Sequence, residues 1–347
     1  MFKERNDKTD FLGYTWQFAV PSLQRLLKEP EFEVLGVVTQ PDKPRGRGKQ
    51  LTPSPIKQVA LEHGFQVWQP ARVKKDEQTL AELRSHQADA FVVVAYGQLL
   101  SQEILDMPRL GCINAHGSLL PQYRGAAPIQ WSLYNGDPTT GITTMLMDIG
   151  MDTGPMLLKE SISVGLLEDA VDVGAQLSEV SAGLLVETLQ KLDRGLLKPI
   201  PQDDALASSA RLITKSDFVV DWAKPAIALH NQVRAFVPNV VAQFREQPIK
   251  ILKTVPLVQN CLNRLPTEFQ PLVQTGSTLD TKEIGQIVYL AKPHGPVVQT
   301  GQGLILLQTV QLSGKRPQSG WDFVNGLRLQ VGDFLNNGVP NPSIAKG

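Results

Sequence analysis

The stretch Ala90-Phe-Val-Val-Val-Ala-Tyr96 decides the fold class of this chain. It is apolar at successive positions, so both faces call for burial, as in a strand inside a parallel sheet. Amphipathic segments flank it. Residues 80–87 read as a helix before it, and Ser101 with Glu103 opens a short helix after it, leading to a second strand at Cys112-Ile-Asn-Ala-His116. Upstream, 22–27 reads as helix, 32–38 as strand, 56–63 as helix stopped by Gly64, and 65–68 as a short strand. Downstream, 142–147 and 156–164 read as a hairpin-like strand pair. Residues 170–192 carry Val173, Leu177, Val180 and Leu184 at helical spacing. Strand, helix and strand in repetition imply an α/β domain built on a Rossmann-like open, mostly parallel sheet with right-handed crossovers.

The pattern breaks at 198–209, where two prolines, two aspartates and two serines read as a linker. Beyond it a helix over 226–236 stops at Pro238. Short β segments then follow at 241–244, 249–255, 284–290, 297–299 and 304–311, which suggests a small OB-like β-barrel. The expected domains are therefore 1–197, a linker over 198–209, and 210–347. From residue 206 on there are 14 Lys/Arg against 8 Asp/Glu, a net of +6, and the whole chain is neutral, so the first 205 residues carry −6. A mildly basic barrel hints at a polyanionic partner.

Composition limits the alternatives. With 347 residues, 42% hydrophobic and 20% charged, the chain can bury two cores and is not a disordered or fibrous sequence. Lys+Arg and Asp+Glu both total 34, which excludes nucleic-acid binding by bulk charge alone. Cys112 and Cys261 give neither a metal-ligand spacing nor a disulfide framework. Apolar runs fall short of the roughly 20 residues a membrane span needs, and the polar first ten residues lack the apolar core of a signal peptide. A cytoplasmic protein with no membrane association and no metal is expected.

Three clusters could carry chemistry. The densest is Gly111-Cys-Ile-Asn-Ala-His-Gly-Ser-Leu-Leu-Pro-Gln-Tyr-Arg-Gly125. On an extended strand Asn114 and His116 share a face and lie at the strand end, where open α/β sheets bind ligands. An amide donor beside an imidazole suits a carbonyl that becomes a tetrahedral oxyanion under attack by an amine. A polar strand end that satisfies loop backbone groups is the plainer alternative. The second cluster, Met147-Asp-Ile-Gly-Met-Asp-Thr-Gly-Pro155, offers Asp148 and Asp152 as partners for an imidazole. An aspartate there can equally bond its own turn, and spacing does not choose between the two. The third, Thr39-Gln-Pro-Asp-Lys-Pro-Arg-Gly-Arg-Gly-Lys-Gln-Leu-Thr-Pro53, sets Lys43, Arg45, Arg47 and Lys49 in a loop after a strand. Gln50 follows Gly48-Lys49 where a phosphate loop needs Ser or Thr, so a mobile basic loop against a nucleic-acid backbone fits better. His63, His86, His230 and His294 have no companion at ligand spacing and read as surface or helix residues.

The combination Asn114-x-His116, Ser118-Leu-Leu-Pro121, Tyr123-Arg-Gly-Ala-Ala-Pro-Ile-Gln130 and Asp152-Thr-Gly-Pro155 closely resembles the folate-dependent formyltransferases. Gln40-Pro-Asp-Lys-Pro-x-Gly-Arg-Gly-Lys49 and stretches of the second domain, such as Ile213-Thr-Lys-Ser-Asp217, resemble the branch that acts on methionyl-tRNA. The resemblance implies a formyltransferase fold and transfer of a formyl group from 10-formyltetrahydrofolate to the amine of methionyl initiator tRNA. It implies Asn114, His116 and Asp152 as catalytic, which favours Asp152 over Asp148. Ser118, Leu119, Leu120 and Pro121, with Tyr96, Gly97 and Leu99, would hold the folate. Arg47, with Lys43, Arg45 and Lys49 around it, would engage the tRNA. A monomer is expected. A small amine acceptor, or a catalytically impaired folate- or tRNA-binding relic, are the alternatives.

One departure stands out. The family opens with a hydrophobic strand and a Gly-Thr-Pro turn before Phe-Ala-Val-Pro, whereas Lys8-Thr-Asp-Phe-Leu-Gly-Tyr-Thr-Trp16 precedes Phe18-Ala-Val-Pro21 here. Residues 1 to about 9 are accordingly expected outside the sheet, with 10–14 at most a strand stub and neighbouring ladders partly unpaired, because Lys8 and Asp10 would bury charge.

Overall fold

The computed structural model describes residues 7–13, 17–45, 50–277 and 283–338. The chain divides into two compact units. The first holds the described residues of Met1–Pro128, Thr139–Ser163 and Gly174–Arg211; the second holds those of Ile129–Pro138, Val164–Val173 and Leu212–Gly347.

In the first unit a seven-stranded sheet runs in the order Met156–Ser163, Thr139–Leu146, Cys112–His116, Ala90–Val94, Asp7–Gly13, Phe32–Val38, Val67–Trp68. The five strands from Cys112–His116 to Val67–Trp68 are parallel, and the other two join antiparallel. All five residues of Ala90–Val94 are buried, as its unbroken apolar run requires. Helix Pro55–Glu62 starts under a Ser54 cap that accepts from Lys57 N at 3.1 Å, with Pro55 in its first turn. Helix Glu77–His86 starts under Asp76, which accepts from Thr79 N at 2.9 Å, and stops at left-handed Gln87.

The first strand overturns the expectation made for it. Asp7–Gly13 is a complete central strand. It pairs with Phe32–Val38 from Asp7 to Leu12 and with Ala90–Val94 from Thr9 to Gly13, with a register shift between Thr9 and Asp10. Lys8 stays exposed, so its ammonium is not buried, and Asp10 enters because it has a partner. The Lys8 backbone N–H donates to Asp89 Oδ2 at 3.1 Å, and its carbonyl accepts from Asp89 N at 2.7 Å. The Asp10 carboxylate is fully buried and meets His86 Nδ1 at 2.8 and 3.1 Å. Gly36 lies opposite Asp10 in register and makes the room: a Cβ there would sit 2.3 Å from the Trp68 ring, which packs edge-on against His86. His86, expected as an ordinary surface or helix residue, is therefore the partner of a buried acid. Burial pushes the Asp10 carboxyl up to about 6, and the His86 hydrogen bond and charge pull against that rise. Tyr14, the far end of the expected strand stub, lies outside the described residues.

The second unit is a curled antiparallel sheet, in the order Ile287–Ala291, Gly295–Gln299, Leu304–Leu312, Gln247–Leu257, Val241–Phe244, Leu335–Asn337, with Gln318–Ser319 paired to Leu304–Leu312. A bridge between Gln286 and Phe334 joins the two ends of the curl. Helix Ala226–Phe236 packs against it, and His230 is locked between Thr254 Oγ1 (2.9 Å) and the Leu166 carbonyl (2.8 Å). Burial pushes His230 down to about 4. Helices Pro128–Asn135, Gln270–Ser277 and Gly320–Leu327 have no counterpart in the sequence reading. Among the described residues no helix is long and apolar enough to cross a membrane.

Residues 198–209, read as a linker, are folded within the first unit. Ser209–Ala210 adds a two-residue parallel pairing to Arg124–Gly125.

Candidate active site

Asn114 and His116 occupy the last turn of pleat in Cys112–His116, where Val93 and Met145 flank Asn114 in register and Thr143 lies opposite His116. Their exposures are 9% and 5%, so both side chains work largely away from bulk water. Asp152 comes from the loop between strands Thr139–Leu146 and Met156–Ser163. Its carboxylate stands 3.6 Å from His116 Nδ1 and accepts from the Asn114 amide at 3.5 Å, so the three side chains converge. His116 Nε2 lies 2.9 Å from the Tyr123 carbonyl. A carbonyl only accepts, so Nε2 carries hydrogen and Nδ1 is the nitrogen that faces the carboxylate.

Two glycines make the convergence possible. Gly125 has φ +126°, donates its N–H to Asp152 Oδ2 at 2.9 Å, and a Cβ there would lie 2.6 Å from the Ala210 carbonyl. Gly154 packs so tightly that a Cβ would lie 1.9 Å from the Leu146 carbonyl. Asp152 itself is left-handed, at φ +55°, a conformation that aspartate tolerates better than most residues. The ambiguity between the two aspartates resolves geometrically. Asp148 Oδ1 accepts from Gly150 N at 3.0 Å and Thr153 Oγ1 at 2.8 Å, which is a turn-former's role, while Asp152 reaches Asn114 and His116.

The Ser118 to Pro121 segment is held from within. Ser118 is fully buried and its hydroxyl donates to the Gln122 carbonyl at 2.6 Å. Thr143 Oγ1 donates to the Ser118 carbonyl (2.7 Å) and accepts from Leu120 N (3.0 Å), while Lys159 Nζ donates to the Leu120 carbonyl. Burial lowers the Lys159 pKa. Leu120 is core; Leu119 and Pro121 are half-buried. Tyr96 does not line an open surface: its ring is in the core with Leu12, Trp68 and Val73, and its hydroxyl is buried with no hydrogen-bond partner among the described residues. Burial raises that hydroxyl's pKa. Gly97 follows at φ +74°, and Leu99 is 56% exposed beside a cavity of about 270 Å³ lined by Ala71, Arg72, Lys74 and Gln98.

Of the basic residues, Lys43 and Arg45 lie on a short strand, Lys43–Arg45, that pairs with Gln50–Thr52, and the Lys43 side chain is exposed. Arg47 and Lys49 lie outside the described residues. No group of His, Cys, Asp or Glu that could hold a metal occurs among the described residues. The sequence reading missed the groups that set this geometry: the Tyr123 carbonyl, the Gly125 N–H, and Gln202, which donates to the Asp152 and Gly154 carbonyls.

An amide, an imidazole and a carboxylate at the end of a parallel strand can stabilise an oxyanion and move a proton, which is acyl-transfer chemistry. A formyl transferase family model matches residues 15–189, and a model of the formyl transferase C-terminal domain matches 212–328. The methionyl-tRNA formyltransferase of Trichormus variabilis is 57% identical over 333 residues, covering 95% of this chain and 99% of that protein. That of Gloeothece citriformis is 59% identical over 330 residues, covering 94% and 98%. The chain belongs to the methionyl-tRNA formyltransferase family. It is an enzyme that transfers a one-carbon formyl group. Solved structures share the family's fold at low identity. A sugar 3N-formyl transferase in the presence of dTDP and 5-N-formyl-THF has a TM-score of 0.60 at 19% identity, covering 89% of this chain and 99% of that chain. HypX from Aquifex aeolicus, in complex with tetrahydrofolic acid, has a TM-score of 0.60 at 15% identity, covering 94% of this chain and 48% of that one.

Proposed function

We propose that this chain transfers the formyl group of 10-formyltetrahydrofolate to the α-amine of methionyl initiator tRNA, in the cytoplasm and as a monomer. The observation that carries the chemistry is the convergence of Asn114, His116 and Asp152 at one strand end. The acceptor rests on near full-length similarity to enzymes named for methionyl-tRNA.

In the proposed sequence the neutral amine attacks the formyl carbon, and the carbonyl oxygen becomes an oxyanion. Asn114 donates an amide N–H to it, and the His116 imidazolium adds its charge. Asp152 balances that charge through Nδ1, 3.6 Å away. The bond from carbon to N10 then breaks as the carbonyl re-forms. The proton that the amine sheds passes to the Asp152–His116 pair, and the pair supplies one to N10, so the site returns to its starting state. Ser118, Leu119, Leu120 and Pro121, with Tyr96, Gly97 and Leu99, form the folate-binding segments in this reading. Lys43, Arg45, Arg47 and Lys49, together with the net +6 of the second part of the chain, supply phosphate contacts to the tRNA.

The test is formylation of methionylated initiator tRNA by the purified chain. His116→Ala and Asn114→Ala each lower turnover about 10²–10⁴-fold while folate binding survives, because donors and proton-transfer groups each contribute on that scale. A His116→Ala variant with near-normal turnover refutes the assignment. Equal turnover on a free small amine and on methionyl-tRNA refutes the acceptor.

A further inference from the structure

The segment that reads as a linker crosses the site. Gln202 spends its whole amide there: Nε2 donates to the Asp152 carbonyl and the Gly154 carbonyl, both at 2.8 Å, and Oε1 accepts from Arg124 Nε at 2.9 Å. Arg124 is fixed in turn. Its Nη2 donates to Asp204 Oδ1 at 2.8 Å, and its backbone N–H donates to the Ser208 carbonyl at 2.8 Å. Next to it, Tyr123 N donates to Ser208 Oγ at 2.8 Å, while the Tyr123 carbonyl accepts from His116. On the other side Gly125 N–H holds the Asp152 carboxylate. One strap thus touches the loop that carries Asp152 and the loop that orients His116.

We infer that Gln202, held by Arg124, is a positioning residue that fixes the Asp152 carboxylate against His116 and Asn114. The inference rests on the role proposed above for Asp152. Its physical basis is the shape of the 152–154 turn. Asp152 is left-handed, and the two carbonyls on either side of Thr153 point at one place, where two hydrogens of a single amide satisfy both. Only an amide does this while offering an acceptor to a guanidinium. Leucine of similar size leaves both carbonyls unpaired, and glutamate presents oxygen to them. In either case the turn relaxes and carries the carboxylate away from His116. A misplacement of about 1 Å in catalytic geometry is enough to lower turnover about 100-fold. Gln202 touches none of the three catalytic side chains, so its effect runs through the backbone of Asp152.

The experiment compares Gln202→Leu, Gln202→Glu, Asp152→Asn and the double variant Gln202→Leu/Asp152→Asn in the full chain, with kcat and KM measured for both substrates. Gln202→Glu keeps an acceptor for Arg124 and so isolates the two donors. Expected are a fall in kcat of about 10–100-fold for both Gln202 variants, KM values within about threefold of the unsubstituted enzyme, and a double variant no slower than Asp152→Asn alone. Unchanged kcat in both Gln202 variants beside a slow Asp152→Asn overturns the inference and leaves the role of Asp152 intact. Losses that multiply in the double variant also overturn it, because they place Gln202 outside the action of Asp152. A fully active Asp152→Asn brings down the role of Asp152 and this inference with it.

Discussion

Replacing Asp10 by Asn in the central strand makes the protein more stable at neutral pH and not at acid pH. The acid is fully buried, and burial lifts its pKa from the ordinary 3.8 to about 6 in spite of His86 at 2.8 Å. A carboxyl whose folded value exceeds its unfolded value favours folding while it is protonated. Its contribution is full below about 3.8 and is lost as pH rises through about 6. A shift of roughly two units corresponds to about 3 kcal/mol between the two protonation states. The ionised Asp10 carboxylate is therefore a net cost at pH 7, as buried charges often are once desolvation is counted. An asparagine keeps the shape of the protonated acid, still offers His86 a partner, and sheds the charge.

The assay is denaturant or thermal unfolding of both proteins from pH 5 to pH 8. The advantage of Asp10→Asn grows between about 3.8 and about 6, where the unfolded chain has lost the proton and the folded one keeps it. The rise therefore continues from pH 5 and levels off above about 6.5, at up to about 3 kcal/mol in all. For a unit of this size that corresponds to a rise of several °C, on the order of 2–4 °C per kcal/mol. Because the chain has two units, the comparison uses the transition that a change at Asp10 moves. An Asn variant that is less stable at pH 7.5, or a difference that is flat from pH 5 to pH 8, refutes the reasoning. The first result would mean that the ion pair outweighs desolvation; the second, that the acid does not titrate within the fold.

Two further outcomes follow from the site and the domain boundary. If Lys43, Arg45, Arg47 and Lys49 meet tRNA phosphates, affinity measured between 50 and 200 mM salt falls steeply, and Arg47→Ala reduces the slope of log affinity against log salt by about 1 without altering folate binding; binding that ignores salt contradicts this. A chain ending at Arg211 keeps Ser208 and Ala210 against Tyr123 and Gly125, and one ending at Leu206 loses both, so the shorter chain melts lower by circular dichroism. Both truncations also strip Phe236 from the rings of Trp131, which meets it edge-on, and Tyr134, which stacks on it, and expose that face to aggregation. Equal melting of the two chains shows that the 207–211 segment is an inert tether.

Much of the first sheet was legible because its strands announce themselves within a few residues. Ala90–Val94 is buried at every position, and no element other than a sandwiched strand explains such a run between turns. Asn114 and His116 were legible for the same local reason, since a two-residue step puts both on one face at a strand end. The helices Pro128–Asn135 and Gly320–Leu327 were not, because eight residues rich in aromatic and branched side chains carry too little periodicity to separate a short buried helix from a loop.

The first strand and the strap failed for a different reason, and the two failures share a cause. Lys8 and Asp10 count against a buried strand only while the fold is left out: Lys8 stays exposed and is bonded through its backbone by Asp89, while Asp10 is buried against His86. Both contacts come from some eighty residues along the chain, and the space at Asp10 exists because Gly36 rather than a larger residue faces it. Likewise 198–209 has the composition of a linker, and nothing within ten residues of Gln202 reveals two carbonyls waiting at 152 and 154. Local pattern reports what a residue can do with its chain neighbours; the sign of a polar residue's contribution is set by groups the fold delivers from elsewhere. The two cases then diverge in energy. At Gln202 every hydrogen-bonding atom of the amide has a partner, so burial beside the site is compensated. At Asp10 the partner only reduces a desolvation cost that still raises the carboxyl to about 6. Removing the polar group should therefore cost turnover at Gln202 and add stability at Asp10, opposite outcomes for two polar residues whose partners the fold brings from far along the chain.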